Sequence, residues 1–493
     1  MGRPLVDSDT ESRVRPQTVT ARSPHLVTLV SHDAVVVGSG PNGLAAAVEL
    51  TRTGRRVLVI EGARDIGGGA RTKELTLPGF LHDVCSAIHP LGAASPFFRD
   101  NGIGDWVHPE IPATHPLDGG RVVVLERSLG ATAAGLGSDA RRYERMFGGF
   151  AKDADALMDQ VLSPMSGIPK NPLAVGRFGA PGIFPASVAV KRFRTEEARA
   201  LYAGLAAHAI APFSAPLTGA VAQTFAVAAH AHGWPAFRGG SVGIADEMVR
   251  VVEDGGGSIE TSRLVTSPTD LPDAPIVLLD VMPPAAIQIA GDRLDSIAAR
   301  RLAAWKFGPG AFKIDWALDE PIPWTDEASR RAGTVHVGGT YDEIAAAEAA
   351  VHRGEPTDRP FVIVTQQSLF DASRSPEGKH VAWAYCHVPS GSDIDRTEVI
   401  ESQIERFAPG FRDVILATHT IDPRAFEEYN PNYVGGDFAG GAFTASRVFR
   451  FGSARPYRIG EGVYLCSSAT PPGAGVHGMC GFHAARVAIA DQT

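Results

Sequence analysis

Three glycines carry the first recognisable chemistry. In Val35-Val36-Val37-Gly38-Ser39-Gly40-Pro41-Asn42-Gly43 they follow a β-branched run beginning at Ala34 and open a stretch of helix formers, Leu44 to Leu50. That is the setting a dinucleotide fingerprint requires. Gly38 permits the tight turn, Gly40 lets the backbone approach a pyrophosphate at the positive end of a helix, and Gly43 lets that helix close on the strand. Pro41 and Asn42 complete the loop. A second apolar run, Arg56 to Ile60, ends at Glu61, 18 residues after Gly43, where a carboxylate accepts the two hydroxyls of an adenosine ribose. The glycine loop alone is a weak signal; strand, loop, helix, strand and acid in order make it a strong one.

The continuation Glu61-Gly62-Ala63-Arg64-Asp65-Ile66-Gly67-Gly68-Gly69-Ala70-Arg71-Thr72 distinguishes FAD from NAD. It resembles the flavoprotein superfamily of phytoene desaturases, amine oxidases and Rab GDP-dissociation inhibitors, in which a Gly-Gly pair and then an Arg follow the first βαβ unit. The resemblance implies that Gly62, Arg64, Gly67 and Gly68 lie on the cofactor, with the glycines on its phosphates, and that Arg71 stands near the flavin. The chemistry agrees: paired glycines bare their N–H groups, and a guanidinium makes a bidentate anion contact.

Two distant segments extend the resemblance. Arg238-Gly239-Gly240-Ser241 before a helix, then Gly256-Gly257 and Val265, is similar to the superfamily's adenine-contacting element. The run from Gly462 through Cys466-Ser467-Ser468 to Gly473-Ala474-Gly475-Val476-His477-Gly478-Met479 resembles the element that closes the flavin site. There Ser468, Gly475 and Val476 are expected against the flavin, with turn amides aimed at its pyrimidine edge. Ser467-Ser468 stands where amine oxidases carry an acid, so the match leans to the desaturase-like branch. Together with Asn432-Tyr433-Val434-Gly435-Gly436-Asp437, Trp383, His387 and Pro389, it is nearest to the pyridine nucleotide-disulfide oxidoreductase domain-containing protein 2 group, from Asp33 onward. The resemblance implies a flavin-dependent oxidoreductase, desaturase- or dehydrogenase-like. Its alternatives are an amine oxidase or a non-catalytic prenyl-binding protein of the GDP-dissociation-inhibitor type.

The disulfide-reductase part of that group's name finds no counterpart here. Cys85, Cys386, Cys466 and Cys480 form no CxxC pair, and no redox cysteine pair lies near Gly67 to Leu75. Gly130 to Gly137, Gly176 to Gly182 and Gly435 to Gly441 do not follow strand, turn and helix, so no NAD(P)H site is expected. His477, in the turn beside the flavin, is the candidate catalytic residue, because imidazole titrates near neutrality. A histidine hydrogen-bonded into the turn is the competing role. His336, His387 and Trp383 are expected in core or cavity wall, and no metal site is expected.

These residues need an α/β scaffold: a Rossmann-type, three-layer FAD-binding domain with an inserted substrate domain of mixed sheet and helices. The first is assigned residues 32–130, 238–305 and 445–493, the second 131–237 and 306–444. Ser138 is expected to cap a helix carrying Tyr143, Met146, Phe147 and Phe150 on one face, and Ser241 a helix carrying Ile244, Met248, Val251 and Val252. Strand-like runs at Ala311 to Trp316, Thr334 to Val337, Pro360 to Thr365 and His380 to His387 surround a helix near Tyr341 to Val351.

Composition excludes other classes. With 44% hydrophobic and 20% charged residues and a net charge of -9, the chain carries no nucleic-acid footprint. Leu201 to Phe237 lacks any Asp, Glu, Lys or Arg, but Pro212, Pro216, His208, His230, His232 and Gln223 interrupt it. It reads as buried helices lining a cavity for an apolar or isoprenoid-like small molecule, not as a membrane span. Peripheral contact with a membrane stays compatible with it. Residues 1–31 read as a disordered tail without a secretory signal, and the scattered cysteines point to the cytoplasm. No oligomeric state follows from the sequence.

Overall fold

The computed structural model describes residues 32–151, 153–164, 182, 184–444 and 455–492. The expected tail over 1–31 and most of Gly176 to Gly182 lie outside them.

A six-stranded sheet runs in the order 458–460, 463–465, 276–279, 34–37, 57–60, 258–260. All neighbours are parallel except the first pair. Strands Ala34–Val37, Val57–Ile60 and Ile276–Leu279 are buried along their whole length, which is why they read as unbroken apolar runs. Ala34 and Val36 pack into one core with helices Pro41–Arg52, Val242–Asp254 and Met479–Ala490, while Val35 and Val37 pack into a second with Pro283–Ala290 and Ser296–Ala303. Two helical layers thus sandwich the sheet. Its register levels the strand ends: Val37 lies opposite both Ile60 and Leu279, and Leu279 opposite Leu465. Gly38, Glu61, Asp280 and Cys466 consequently follow at one edge, the carboxyl edge where ligands bind in doubly wound sheets.

A seven-stranded sheet, in the order 415–421, 310–318, 380–388, 362–365, 332–337, 111–117, 121–125, forms the rest of the scaffold. The four strands and the helix expected between Ala311 and His387 are present. Strands Ile111–Leu117 and Arg121–Leu125 belong to this sheet, whereas the domain bounds expected from sequence group them with the nucleotide-binding region. Pro112 and Pro116 within seven residues disguise the first as irregular backbone. Helices Glu196–Ala207 and Thr218–His232 pack on one face with Tyr202, Phe213 and Trp234. They are the buried pair expected from the uncharged stretch. Among the described residues no helix is long and apolar enough to cross a membrane.

Two caps differ from expectation. Ser138 falls in a short turn, and the helix begins at Ala140; the buried Asp139 carboxylate accepts instead from the amides of Arg194 and Thr195. Ser241 makes no capping bond, because its hydroxyl donates to the Ser86 carbonyl and meets His89 Nε2 at 2.8 Å.

Candidate functional site

At the carboxyl edge of the first sheet the glycine loop is built by close approach. A Cβ at Gly43 would stand 2.1 Å from the Gly38 carbonyl oxygen, so only glycine lets helix Pro41–Arg52 sit this near the strand. Gly38, Gly67 and Gly68 have φ of 98°, 104° and 56°, the left-handed region that glycine enters freely. A Cβ at Gly68 would lie 2.9 Å from Gly40 Cα. The two glycine loops therefore face each other backbone to backbone, tied by the Gly67 amide donating to the Ser39 carbonyl at 3.1 Å.

Glu61 is buried and accepts hydrogen bonds on both oxygens. Its Oε2 accepts from the Ser39 amide at 2.9 Å and the Ser39 hydroxyl at 2.6 Å, and its Oε1 from the Ala63 amide at 2.8 Å. Arg71 reaches it at 3.3 Å, donates Nε to the Ile66 carbonyl at 3.0 Å, and lies over the Tyr429 ring. The Tyr429 hydroxyl donates to the Gly68 carbonyl at 3.0 Å, so a residue from the far half of the chain fastens the second glycine loop.

One cavity of about 1070 Å³ gathers the separated segments. Its wall includes Gly38, Gly40, Pro41 and Asn42 from the first loop; Glu61, Gly62, Gly68 and Arg71 from the second; Val265; and Ser468, Gly475 and Val476 from the last. Three of the expected residues stand apart from it. Gly43 is inside the helix-to-strand contact, Gly67 packs on Ala245, and Arg64 is exposed.

His477 also lines the cavity but is spent on the turn. Its Nδ1 accepts the Met479 amide at 3.0 Å. Burial pushes its pKa down to about 4, against hydrogen bonds to the carbonyls of Gly473 and Ala474. These bonds tie its ring into the turn. Cys85 lines the cavity too, its thiol pushed up to about 11 by burial, and all four cysteines are free.

The remaining wall comes from the second sheet and the buried helix pair. Lys313 and Asp315, both buried on strand Gly310–Leu318, form an ion pair. Burial alone would raise the Asp315 carboxyl; Lys313, with His419 and His82, overcomes it and leaves it lowered. The Lys313 ammonium lies over Trp383, which, like Thr334 and Thr365, presents a buried polar atom without a partner among the described residues. His208 stacks on Phe225 and meets His336 Nε2 at 3.2 Å. Burial drives the His208 ring down to about 3 and His336 well below its ordinary range. His336 is in the core, and His387 is buried against Glu348 at 2.8 Å, both as expected.

Sequence reasoning missed Asp280, Lys313 and Tyr429, and it named His208 only within the uncharged stretch. Asp280 and Lys313 end or lie within readable strands, and an isolated charge in an apolar run was the available signal. Asn432 and Asp437, noted for their motif, are cross-links: Asn432 Oδ1 accepts the Met282 amide at 2.8 Å, and Asp437 Oδ2 accepts those of Gly308 and Gly441.

The family described as an NAD(P)-binding Rossmann-like domain matches residues 36–100. Along the chain the similarity is broader. The mouse (Mus musculus) pyridine nucleotide-disulfide oxidoreductase domain-containing protein 2 is 24% identical, covering 93% of this chain and 94% of that protein. A limonene dehydrogenase component of Castellaniella defragrans is 28% identical over 23% of this chain and 22% of its own. A putrescine oxidase variant shares the fold with a TM-score of 0.62 at 15% identity, covering 94% of this chain and 99% of that one. The chain therefore carries a Rossmann-type domain and is similar over 93% of its length to pyridine nucleotide-disulfide oxidoreductase domain-containing protein 2.

Proposed function

We propose that the protein is an FAD-dependent oxidoreductase of desaturase or dehydrogenase type, acting on an apolar, isoprenoid-like substrate. The observation that carries this reading is the convergence of four distant segments, around Gly38, Gly67, Val265 and Gly475, on one cavity edge. A nicotinamide dinucleotide alone would not call for the last of them.

The residues fit FAD. A Cβ at Gly40 would meet Asp280 Oδ2 at 2.6 Å and one at Gly68 would close on Gly40, so side chains at either glycine would fill the cradle between the loops. In that cradle the amides after Gly38 and at Gly68 would hold phosphates, Glu61 the ribose and Val265 the adenine. Ser468, Gly475 and Val476 meet the flavin's pyrimidine edge. Arg71 is positioned to exchange its Glu61 contact for a phosphate oxygen. Bound FAD supplies a hydride acceptor at flavin N5.

The chain's own residues bind and orient the substrate. Leu217, Val221, Phe225 and Trp234 give the outer cavity an apolar wall, which excludes water and grips a hydrocarbon by burial. The likeness to a protein named for limonene, a hydrocarbon, agrees with this wall. His477 has its Nδ1 committed to the Met479 amide, so we assign it a bracing role. An anaerobic turnover screen of terpenoid and amine substrates, read by bleaching near 450 nm, tests the reading. Bleaching by an apolar C–H donor supports it; bleaching by amines alone, with peroxide release in air, replaces it with an amine oxidase.

A further inference from the structure

The fingerprint glycines surround a carboxylic acid with no part in the fingerprint. Asp280 follows strand Ile276–Leu279, whose register with Ala34–Val37 sets it beside Gly38. Its backbone oxygen lies 2.9 Å from where a Cβ of Gly38 would be, and its Oδ2 lies 2.6 Å from where a Cβ of Gly40 would be. That Oδ2 accepts the Gly43 amide at 2.9 Å. The carboxyl thus stands in for a cap on helix Pro41–Arg52, whose own capping residue, Gly40, has no side chain. It also forms part of the cavity wall.

The groups facing Asp280 come from three elements. From Pro41–Arg52 the Gly43 amide and the positive helix end favour the ionised form. From the end of Val57–Ile60 the Glu61 carboxylate opposes it, and burial opposes it more strongly. From the end of Val463–Leu465 comes Cys466, a thiol that burial pushes well up, hence neutral. Among the described residues no cation is among the groups acting on Asp280, and its carboxyl is raised to about 7.

A diphosphate at this loop needs the same helix terminus and the same bare backbone at Gly40. Two ionised acceptors meeting there repel each other, whereas one proton between them makes an O–H···O⁻ hydrogen bond of the strong, charge-assisted kind. We propose that Asp280 receives the dinucleotide's diphosphate as a neutral carboxylic acid, so that cofactor binding takes up one proton from solvent at this side chain. The proposal rests on the FAD reading and goes beyond it by making cofactor retention pH-dependent.

The test titrates FAD into full-length chain depleted of flavin, by fluorescence quenching between pH 6 and pH 9. A calorimetric titration in two buffers of different ionisation enthalpy counts the protons. One linked proton with a carboxyl near pH 7 predicts a Kd nearly flat below pH 6.5 and rising about tenfold per unit above pH 7.5, about 90-fold in all. It also predicts uptake of about 0.9 proton per FAD at pH 8 and about 0.1 at pH 6. Asp280→Asn, which keeps an acceptor for Gly43 and a permanent donor for the phosphate, should bind as the wild type does at pH 6 and lose the slope. A wild-type Kd constant across the range, no proton uptake at pH 8, or an unchanged slope in Asp280→Asn overturns the proposal while leaving the FAD reading intact. Failure of the folded chain to bind FAD at any pH overturns both. The wild-type proton count needs no variant to fold.

Discussion

Gly43→Ala probes the closest backbone contact in the cofactor cradle. The added Cβ would stand 2.1 Å from the Gly38 carbonyl oxygen, 3.0 Å from its carbon and 3.1 Å from Asp280 Cβ. A non-bonded carbon needs about 3.5 Å to its neighbours, so the turn or helix Pro41–Arg52 must retreat by about 1.4 Å. Both obstacles in the turn are backbone atoms, so no rotamer change relieves the clash. Overpacking of this kind costs about 1–3 kcal/mol, and the retreat also pulls the loop amides from the anion they face. The expected result is a lower melting temperature together with loss of most bound flavin, read as the ratio of absorbance at 450 nm to that at 280 nm. Gly149→Ala is the internal control. Gly149 lies exposed in helix Ala140–Ala151 with open space at its Cβ position, so the change should stabilise by about 0.5–1 kcal/mol and leave flavin content alone. A Gly43→Ala protein with wild-type melting temperature and flavin content would refute the close-packed cradle.

Arg71→Ala should cost about 2–3 kcal/mol and lower flavin occupancy. That is less than the usual cost of a broken buried pair, because Glu61 keeps its bonds from Ser39 and Ala63; unchanged flavin content would remove Arg71 from the site. Stability should fall as pH drops from 6.5 towards 4. His82, His89, His115 and His477 are held near 4 and His208 near 3, chiefly by burial. The unfolded chain therefore binds more protons in that window, about 1.4 kcal/mol per unit for each titrating ring. Urea midpoints at pH 7.5, 6 and 5 measure it, and a flat series would contradict the neutral histidines. Asp280 has the opposite sign: its raised carboxyl costs flavin-free protein stability as pH rises from about 4 to 7. Asp280→Asn should then be more stable than wild type at pH 8, by up to about 4 kcal/mol, and barely different at pH 4.

The legible parts of the fold were those coded locally. Val35 to Gly43, Arg56 to Glu61 and the four strand runs of the second sheet announce themselves by apolar pattern and glycine spacing within a few residues. The uncharged stretch at Leu201 to Phe237 likewise read correctly as buried helices, since its prolines and histidines preclude a span. What escaped was coded by register across hundreds of residues. Asp280 meets Gly43 across 237 positions and Tyr429 meets Gly68 across 361, and neither separation leaves a periodic trace. The role of His477 was not legible for a different reason. Its place in the turn was right, but whether an imidazole serves chemistry or architecture depends on where its nitrogens bond, and here Nδ1 is committed to Met479.

The cofactor reading turns on the visible spectrum of the purified full-length protein, taken before and after NADPH is added anaerobically. The account predicts a yellow protein with bands near 375 and 450 nm, FAD rather than FMN released on denaturation, and no rapid bleaching by NADPH. A folded protein that is colourless and stays so after incubation with FAD would contradict it.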